Sequence, residues 1–165
     1  VIQRLVLMGV AGCGKTSVGE EMAQRVGRPY LDGDELHPTA NVEKMRQGIA
    51  LTDADRWPWL DLVAAELARD GALIIGCSAL KRAYRDRIRA GAGGPVTFVH
   101  LEGSRDLIAA RMAERAGHYM PLSLLDSQFA ALEPPSADEA ISVNIDQPLN
   151  ALVSRILAEL ERRTG

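Results

Sequence analysis

Apolar residues along this chain follow two alternating rhythms: short unbroken runs, and longer stretches with helical spacing. Arg4 to Gly9 (RLVLMG) is an apolar run closed by glycine, as expected of a strand buried on both faces of a parallel sheet. Lys15 to Val26 follows, with Val18, Met22, Ala23 and Val26 spaced for one helix face. Arg28 to Asp32 reads as a second strand, and Pro38 to Gln47 as a short helix with proline in its first turn. Thr52 is a candidate N-cap for a longer helix ending near Gly71. Ala72 to Cys77 (ALIIGC) is a strand, after which Ser78 can cap the next helix. Ala90 to Pro95 is a turn. Pro95 to Leu101 (PVTFVHL) is a further strand, and Ser104 opens a helix with Leu107, Ile108 and Met112 on its apolar face. Beyond a surface loop at Glu133 to Asp138, Ile141, Val143 and Ile145 alternate with polar residues in a last strand. Leu152, Val153, Ile156, Leu157 and Leu160 then stripe a terminal helix. Such alternation predicts an α/β fold: a parallel sheet covered on both faces, with ligands at the carboxyl ends of its strands.

Composition narrows the partners. A chain of 165 residues suits a single domain over residues 1–165, one that buries roughly 70% of its unfolded surface. The formal net charge is -3 with no long run of like charge, so neither a nucleic-acid footprint nor a basic membrane patch is expected. The expected partner is a small molecule. Two cysteines, Cys13 and Cys77, are too few for a disulfide framework and suit a reducing, cytoplasmic setting. The longest apolar stretch, Ala72 to Leu80, falls far short of the roughly 20 residues of a membrane span. No secretory leader is expected, and since the chain opens almost directly on a strand, a few native residues are expected before Val1.

The first candidate chemistry lies between the first strand and the first helix. Gly9-Val10-Ala11-Gly12-Cys13-Gly14-Lys15-Thr16 matches G-x-x-x-x-G-K-[ST] in full, with Ser17 behind it. The glycines let the backbone turn tightly and aim its N–H groups inward, and the helix N-terminus adds the positive end of its dipole. Lys15 is expected on the β- and γ-phosphates of ATP, and the Thr16 hydroxyl on a magnesium ion. Cys13 among these amides suggests a reactive thiol, although a small residue filling a turn is the plainer reading.

A motor, a switch GTPase and a small-molecule kinase all begin this way, and the acids distinguish them. The strand ending in Gly76-Cys77-Ser78 carries no metal-holding aspartate, and no N-K-x-D is present to read guanine. Carboxylates come instead after the second strand, as Asp32-Gly33-Asp34. In extended backbone, residues two apart face the same way, and glycine between them lets another group approach. One acid can hold magnesium through water while the other accepts a proton from an attacking hydroxyl. An acidic turn is the bland alternative.

The segment from about 35 to 60 is the expected acceptor site, rich in polar groups such as His37, Asn41, Lys44, Asp53 and Arg56. That lining suits a polyhydroxylated anion better than a nucleobase, although each residue alone could simply be solvated. Lys81 and Arg85 lie one helical turn apart near a helix start, where cations oppose the dipole and an anion would compensate. Arg111, Arg115 and His118 fall on one side of a helix leading to Gly117, and residues of about 111–123 look like a lid. Its arginines could cover the γ-phosphate and exclude water.

Taken together, these residues resemble the gluconate kinase family of thermoresistant type, within the wider group that includes shikimate and nucleoside monophosphate kinases. Beyond the phosphate loop, the likeness rests on Leu31-Asp32-Gly33-Asp34 with Leu36-His37-Pro38, Asn41 with Glu43-Lys44-Met45, and Asp53-x-Asp55-Arg56 with Pro58-Trp59-Leu60. Cys77-Ser78-Ala79-Leu80-Lys81, Tyr84-Arg85-Asp86, Gly117-His118 and Asp146-Gln147-Pro148-Leu149 extend it. The resemblance implies a three-layer P-loop kinase with a five-stranded parallel sheet in the order 2-3-1-4-5. It also implies transfer of the ATP γ-phosphate to the 6-hydroxyl of D-gluconate, with magnesium as cofactor and a homodimeric assembly. By position, Asp34 would be the base, with Lys15, Arg111 and Arg115 assisting transfer, and Asp32 would join Thr16 at the metal. His37, Arg56, Ser78, Lys81, Arg85 and His118 would hold gluconate together with Asp34. Arg111 would belong to the lid and contact ATP, and the Gln147-Pro148 turn would lie beside adenine. The alternatives are a kinase of the same fold with a shikimate or adenylylsulfate acceptor, and a nucleotide-dependent binding or switch module.

Overall fold

The computed structural model describes residues 4–114 and 122–164. Among them lie five strands and seven α-helices. In chain order they are β1 (Arg4–Met8), α1 (Lys15–Val26), β2 (Tyr30–Asp32), α2 (Thr39–Arg46), α3 (Asp53–Arg69) and β3 (Ile74–Gly76). The second half adds α4 (Arg82–Gly91), β4 (Val96–Glu102), α5 (Arg105–Glu114), α6 (Leu122–Ala131), β5 (Ala140–Asn144) and α7 (Leu149–Thr164). Every strand pairing is parallel, and the order is β2-β3-β1-β4-β5, as the family resemblance implies. The chain fills the β2–β3 side first and then crosses over β1 to β4 and β5. The switch therefore falls at the carboxyl end of β1, where open α/β sheets bind their ligands.

Both faces of the sheet are buried, which is why β1 reads as an unbroken apolar run. Leu5 and Leu7 point into one layer with Val18, Met22, Ile108, Leu125 and Ile156, contributed by α1, α5, α6 and α7. Val6 and Met8 point into the other, against Trp59, Val63 and Leu67 of α3 and Tyr84 and Ile88 of α4. No helix among the described residues is long and apolar enough to cross a membrane.

Local signals were realised unevenly. Thr52 caps α3 in a full capping box: its Oγ1 accepts from Asp55 N at 3.1 Å, and Asp55 Oδ2 accepts from Thr52 N at 2.9 Å. Ser104 Oγ likewise accepts from Leu107 N at 3.1 Å, at the start of α5. Ser78 does not cap α4. Ala79 adopts a left-handed conformation with φ 45°, which turns the chain, so the helix begins only at Arg82. The first amide of α4 instead donates to Glu133 Oε1 at 2.9 Å. Helix α6 was not anticipated from the apolar pattern.

Candidate active site

The phosphate loop lies between β1 and α1 as its motif requires. Gly9, Gly12 and Gly14 all have positive φ, and a Cβ on Gly12 would come within 2.6 Å of Met112 Cγ. Val10 and Cys13 are buried beneath it, so the Cys13 thiol is not presented to solvent and the reactive-thiol expectation lacks the required access. The Lys15 ammonium turns onto the loop itself, donating to Gly9 O at 2.9 Å and Val10 O at 3.1 Å. The Thr16 hydroxyl has one weak contact, 3.5 Å to the Tyr30 hydroxyl.

The acid pair follows β2 but is not extended. Asp32 ends the strand and caps a 3-10 turn, Gly33–Leu36, by accepting from Asp34 N at 2.9 Å. Among the described residues, the other oxygen of Asp32 has no hydrogen bond. Gly33 does allow a close approach: a Cβ there would lie 2.3 Å from Gly76 O, the backbone end of β3. Trp59 Nε1 donates to Gly33 O at 2.8 Å and so fixes the turn from α3. The Asp34 side chain is 63% exposed, facing the open cleft. The surrounding walls still thin its hydration and raise its pKa above the ordinary carboxylate value; Lys15 opposes this, and Asp32 adds to it.

His37 lies beside this acid, stacked on Trp59 with ring centroids 4.0 Å apart. Asn41 Nδ2 faces His37 Nδ1 at 3.2 Å, and His37 Nε2 is 4.0 Å from Asp34 Oδ1. An amide N–H can only donate, so Nδ1 accepts and the ring proton sits on Nε2, toward Asp34. Burial, then the positive charge of Arg56, push the His37 pKa down to about 4 against the pull of Asp32, leaving the ring neutral at pH 7.

These groups open into one cleft of about 340 Å³, whose walls include Lys15, Asp34, His37, Arg56, Ser78 and Lys81. Its far end is cationic and aromatic. Arg56 Nη1 donates to Leu51 O at 2.7 Å and to the Tyr84 hydroxyl at 3.2 Å, while Lys81 Nζ contacts Asp53 Oδ1 at 3.4 Å. The Tyr84 hydroxyl in turn donates to Asp53 Oδ1, and the Arg56 and Lys81 cations lie 5.3 and 5.7 Å from the Tyr84 ring centroid. Burial, followed by that hydrogen bond, raises the Tyr84 pKa to about 12, so it remains a donor. Lys44 pairs with Asp55 at 2.8 Å, and this bond and the Thr52 amide hold the Asp55 pKa near 2.

One assignment is corrected. Arg85 does not face the cleft; its side chain is 1% exposed and ion-paired to Glu139, which is 5% exposed. Its guanidinium also donates to Ala79 O at 2.8 Å, Leu80 O at 3.1 Å and Glu133 O at 2.9 Å. Lys81 is the extended N-cap of α4, with φ -103° and ψ 149°, so it does not share a helix face with Arg85, and Arg85 braces the turn that carries Ser78 and Lys81. Arg111 donates to Ile145 O at 2.8 Å, beside the turn bearing Gln147 and Pro148 and away from the residues lining the cleft. Arg115, His118 and most of the lid lie outside the described residues.

Sequence reasoning missed one wall altogether. Leu124, Ser127 and Gln128 of α6 line the cleft, and Gln128 Oε1 accepts from Ala11 N in the phosphate loop at 2.6 Å. The paired Leu124-Leu125, both buried and followed by Phe129, was the available signal.

Comparison with known proteins agrees with this geometry. The AAA domain family matches residues 5–135, which include the phosphate loop and every described residue lining the cleft. A probable gluconokinase of Xenopus tropicalis is 41% identical across 96% of this chain and 94% of its own length. The thermosensitive gluconokinase of Escherichia coli (strain K12) is 47% identical across 87% and 79%. A crystal structure of a gluconokinase from Sinorhizobium meliloti 1021 superposes with a TM-score of 0.91 at 47% identity, covering 98% of this chain and 93% of that one. The fold, the loop and these relatives together make this chain a member of the gluconokinase family of P-loop kinases.

Proposed function

We propose that this protein transfers the γ-phosphate of ATP to the 6-hydroxyl of D-gluconate, releasing ADP and 6-phosphogluconate. The observation that carries the reading is the single cleft joining Lys15 and Asp34 at one end to Arg56 and Lys81 at the other. Family membership supplies the acceptor's identity, and the cationic end suits a carboxylate.

On this reading Lys15 leaves the Gly9 and Val10 carbonyls for the phosphates, and the loop amides before α1 take the remaining oxygens. Asp34, its basicity raised, accepts the proton of the attacking hydroxyl. His37, neutral with its proton on Nε2, orients the acceptor chain beside Asp34. Arg56 and Lys81, with Ser78, hold the carboxylate and hydroxyls. Residues 35–60 form the acceptor side, residues of about 111–123 the lid, and Arg111 with Gln147 and Pro148 the adenine side.

Thr16 and Asp32 fit a magnesium ion, since among the described residues the Thr16 hydroxyl has only one weak contact and one Asp32 oxygen has no hydrogen bond. When bound, that ion would neutralise charge on the phosphates. A homodimer in the cytoplasm completes the proposal, on the resemblance and the two unpaired, buried cysteines. The test is ADP release over a panel containing D-gluconate, other sugar acids, shikimate and adenylylsulfate. Stimulation by gluconate above the others is expected; stimulation by shikimate or adenylylsulfate alone, or by none, contradicts the reading.

A further inference from the structure

The phosphate loop makes one contact that its own motif does not require. The Ala11 N–H donates to Gln128 Oε1 at 2.6 Å, across 117 residues of chain. Ala11 lies in the phosphate loop and lines the cleft, so this bond ties a backbone donor of the loop to a side chain of α6. Lys15 is similarly committed to the Gly9 and Val10 carbonyls. Two polar groups of the loop, the Ala11 N–H and the Lys15 ammonium, are therefore satisfied by the protein itself.

Gln128 is well placed to do more than fill space. It lines the same cleft as Lys15 and Asp34. Its helix is anchored independently: Leu125 packs in the core with Val10 and Ile108, and beyond α6 the Glu133 amide donates to Leu80 O at 2.8 Å. A side-chain amide carries an acceptor oxygen and a two-donor nitrogen on one carbon, so a turn about its last bond converts a cover for an N–H into a donor toward an anion. A phosphate oxygen is the stronger, charge-assisted acceptor and displaces the neutral amide oxygen.

We propose that Gln128 is a positioning residue for phosphoryl transfer: it covers the Ala11 N–H at rest, yields it to the terminal phosphate of a nucleoside triphosphate, and then orients that phosphate through Nε2. The proposal rests on the P-loop kinase reading above, but not on the identity of the acceptor. The full chain is tested by calorimetric binding of Mg-ATP and Mg-ADP without acceptor, and by steady-state turnover with gluconate.

In Gln128→Glu, a carboxylate repels the terminal phosphate, so ATP affinity at about pH 8 falls roughly tenfold more than ADP affinity. That gap narrows only below about pH 5, as the carboxylate begins to protonate. In Gln128→Ala, ADP affinity stays within about twofold of wild type while kcat falls roughly tenfold at unchanged gluconate KM. An unchanged ATP-to-ADP ratio in Gln128→Glu, or wild-type kcat in Gln128→Ala, overturns the proposal. So does an equal loss of both nucleotides with a lowered melting temperature in both variants, which would reduce Gln128 to a helix anchor. Failure of the gluconate reading is separately visible, as wild-type enzyme without gluconate-dependent turnover whose nucleotide binding still reports on Gln128.

Discussion

Asp34 and His37 are adjacent titratable groups displaced from their usual pKa values in ways that suit opposite tasks. Asp34 is made more basic by thinned hydration, with Lys15 limiting the rise and Asp32 adding to it, which suits a group that takes a proton. Replacing it with asparagine keeps the shape and removes the base. Asp34→Asn should retain ATP binding while turnover falls by roughly 10²- to 10⁴-fold; intact turnover would assign the proton to another group. His37 is held neutral, with a pKa of about 4. Because the folded value lies below the unfolded one, the unfolded chain protonates first as the pH drops. The stability His37 contributes is thus complete above about pH 6.5 and lost progressively toward about pH 4, on the order of 3 kcal/mol. Urea unfolding of wild type and His37→Asn at pH 7 and pH 4.5 checks this: the variant should show the shallower loss on acidification.

The turn between β3 and α4 shows how an element can hide its purpose from a sequence reading. Lys81 and Arg85 are four residues apart and would share a face in a continuous helix. The chain is not yet helical there: Ala79 is left-handed and Lys81 is an extended N-cap, and nothing in the letters Cys-Ser-Ala-Leu-Lys signals the delay, because alanine is not a residue that favours positive φ. Arg85 then becomes a buried brace for the turn. Burial alone would raise the pKa of its partner Glu139, but the bond and charge from Arg85, aided by Arg89, hold it below the ordinary value. Arg85→Ala strands Glu139 and should destabilise the protein by about 3 kcal/mol in denaturant unfolding, whereas a paired apolar replacement of Arg85 and Glu139 should recover most of that loss. A loss within about 0.5 kcal/mol for Arg85→Ala would mean that Arg89 alone suffices. Asp32-Gly33-Asp34 teaches a related lesson. The acid pair and the need for a bare glycine were legible, but the 3-10 turn that aims Asp34 was not, since it depends on Trp59 reaching Gly33 from another helix. Helix α6 was missed for want of a strong cap or a long apolar stripe, and with it went Gln128, whose part depends on a contact 117 residues away.

For the molecule as a whole, the layering was legible because it follows from local rhythm. Fully buried strands appear as unbroken apolar runs, and their alternation with helices leaves few parallel topologies open. The strand order and the acceptor were legible only through the family resemblance, since neither periodicity nor spacing encodes which strand crosses over or which sugar acid fits. The cleft unites what the chain keeps apart: the phosphate loop near residue 10, the acid turn near 34, cations at 56 and 81, and the α6 wall near 128. Its two chemically distinct ends favour transfer between two bound ligands over a switch that binds only nucleotide. The most direct measurement is phosphorus NMR of wild-type enzyme incubated with ATP, magnesium and D-gluconate. A phosphomonoester signal coupled to the C6 protons of gluconate, growing in step with ADP, is the predicted result. ADP with inorganic phosphate alone, or a phosphate on another carbon, would contradict it.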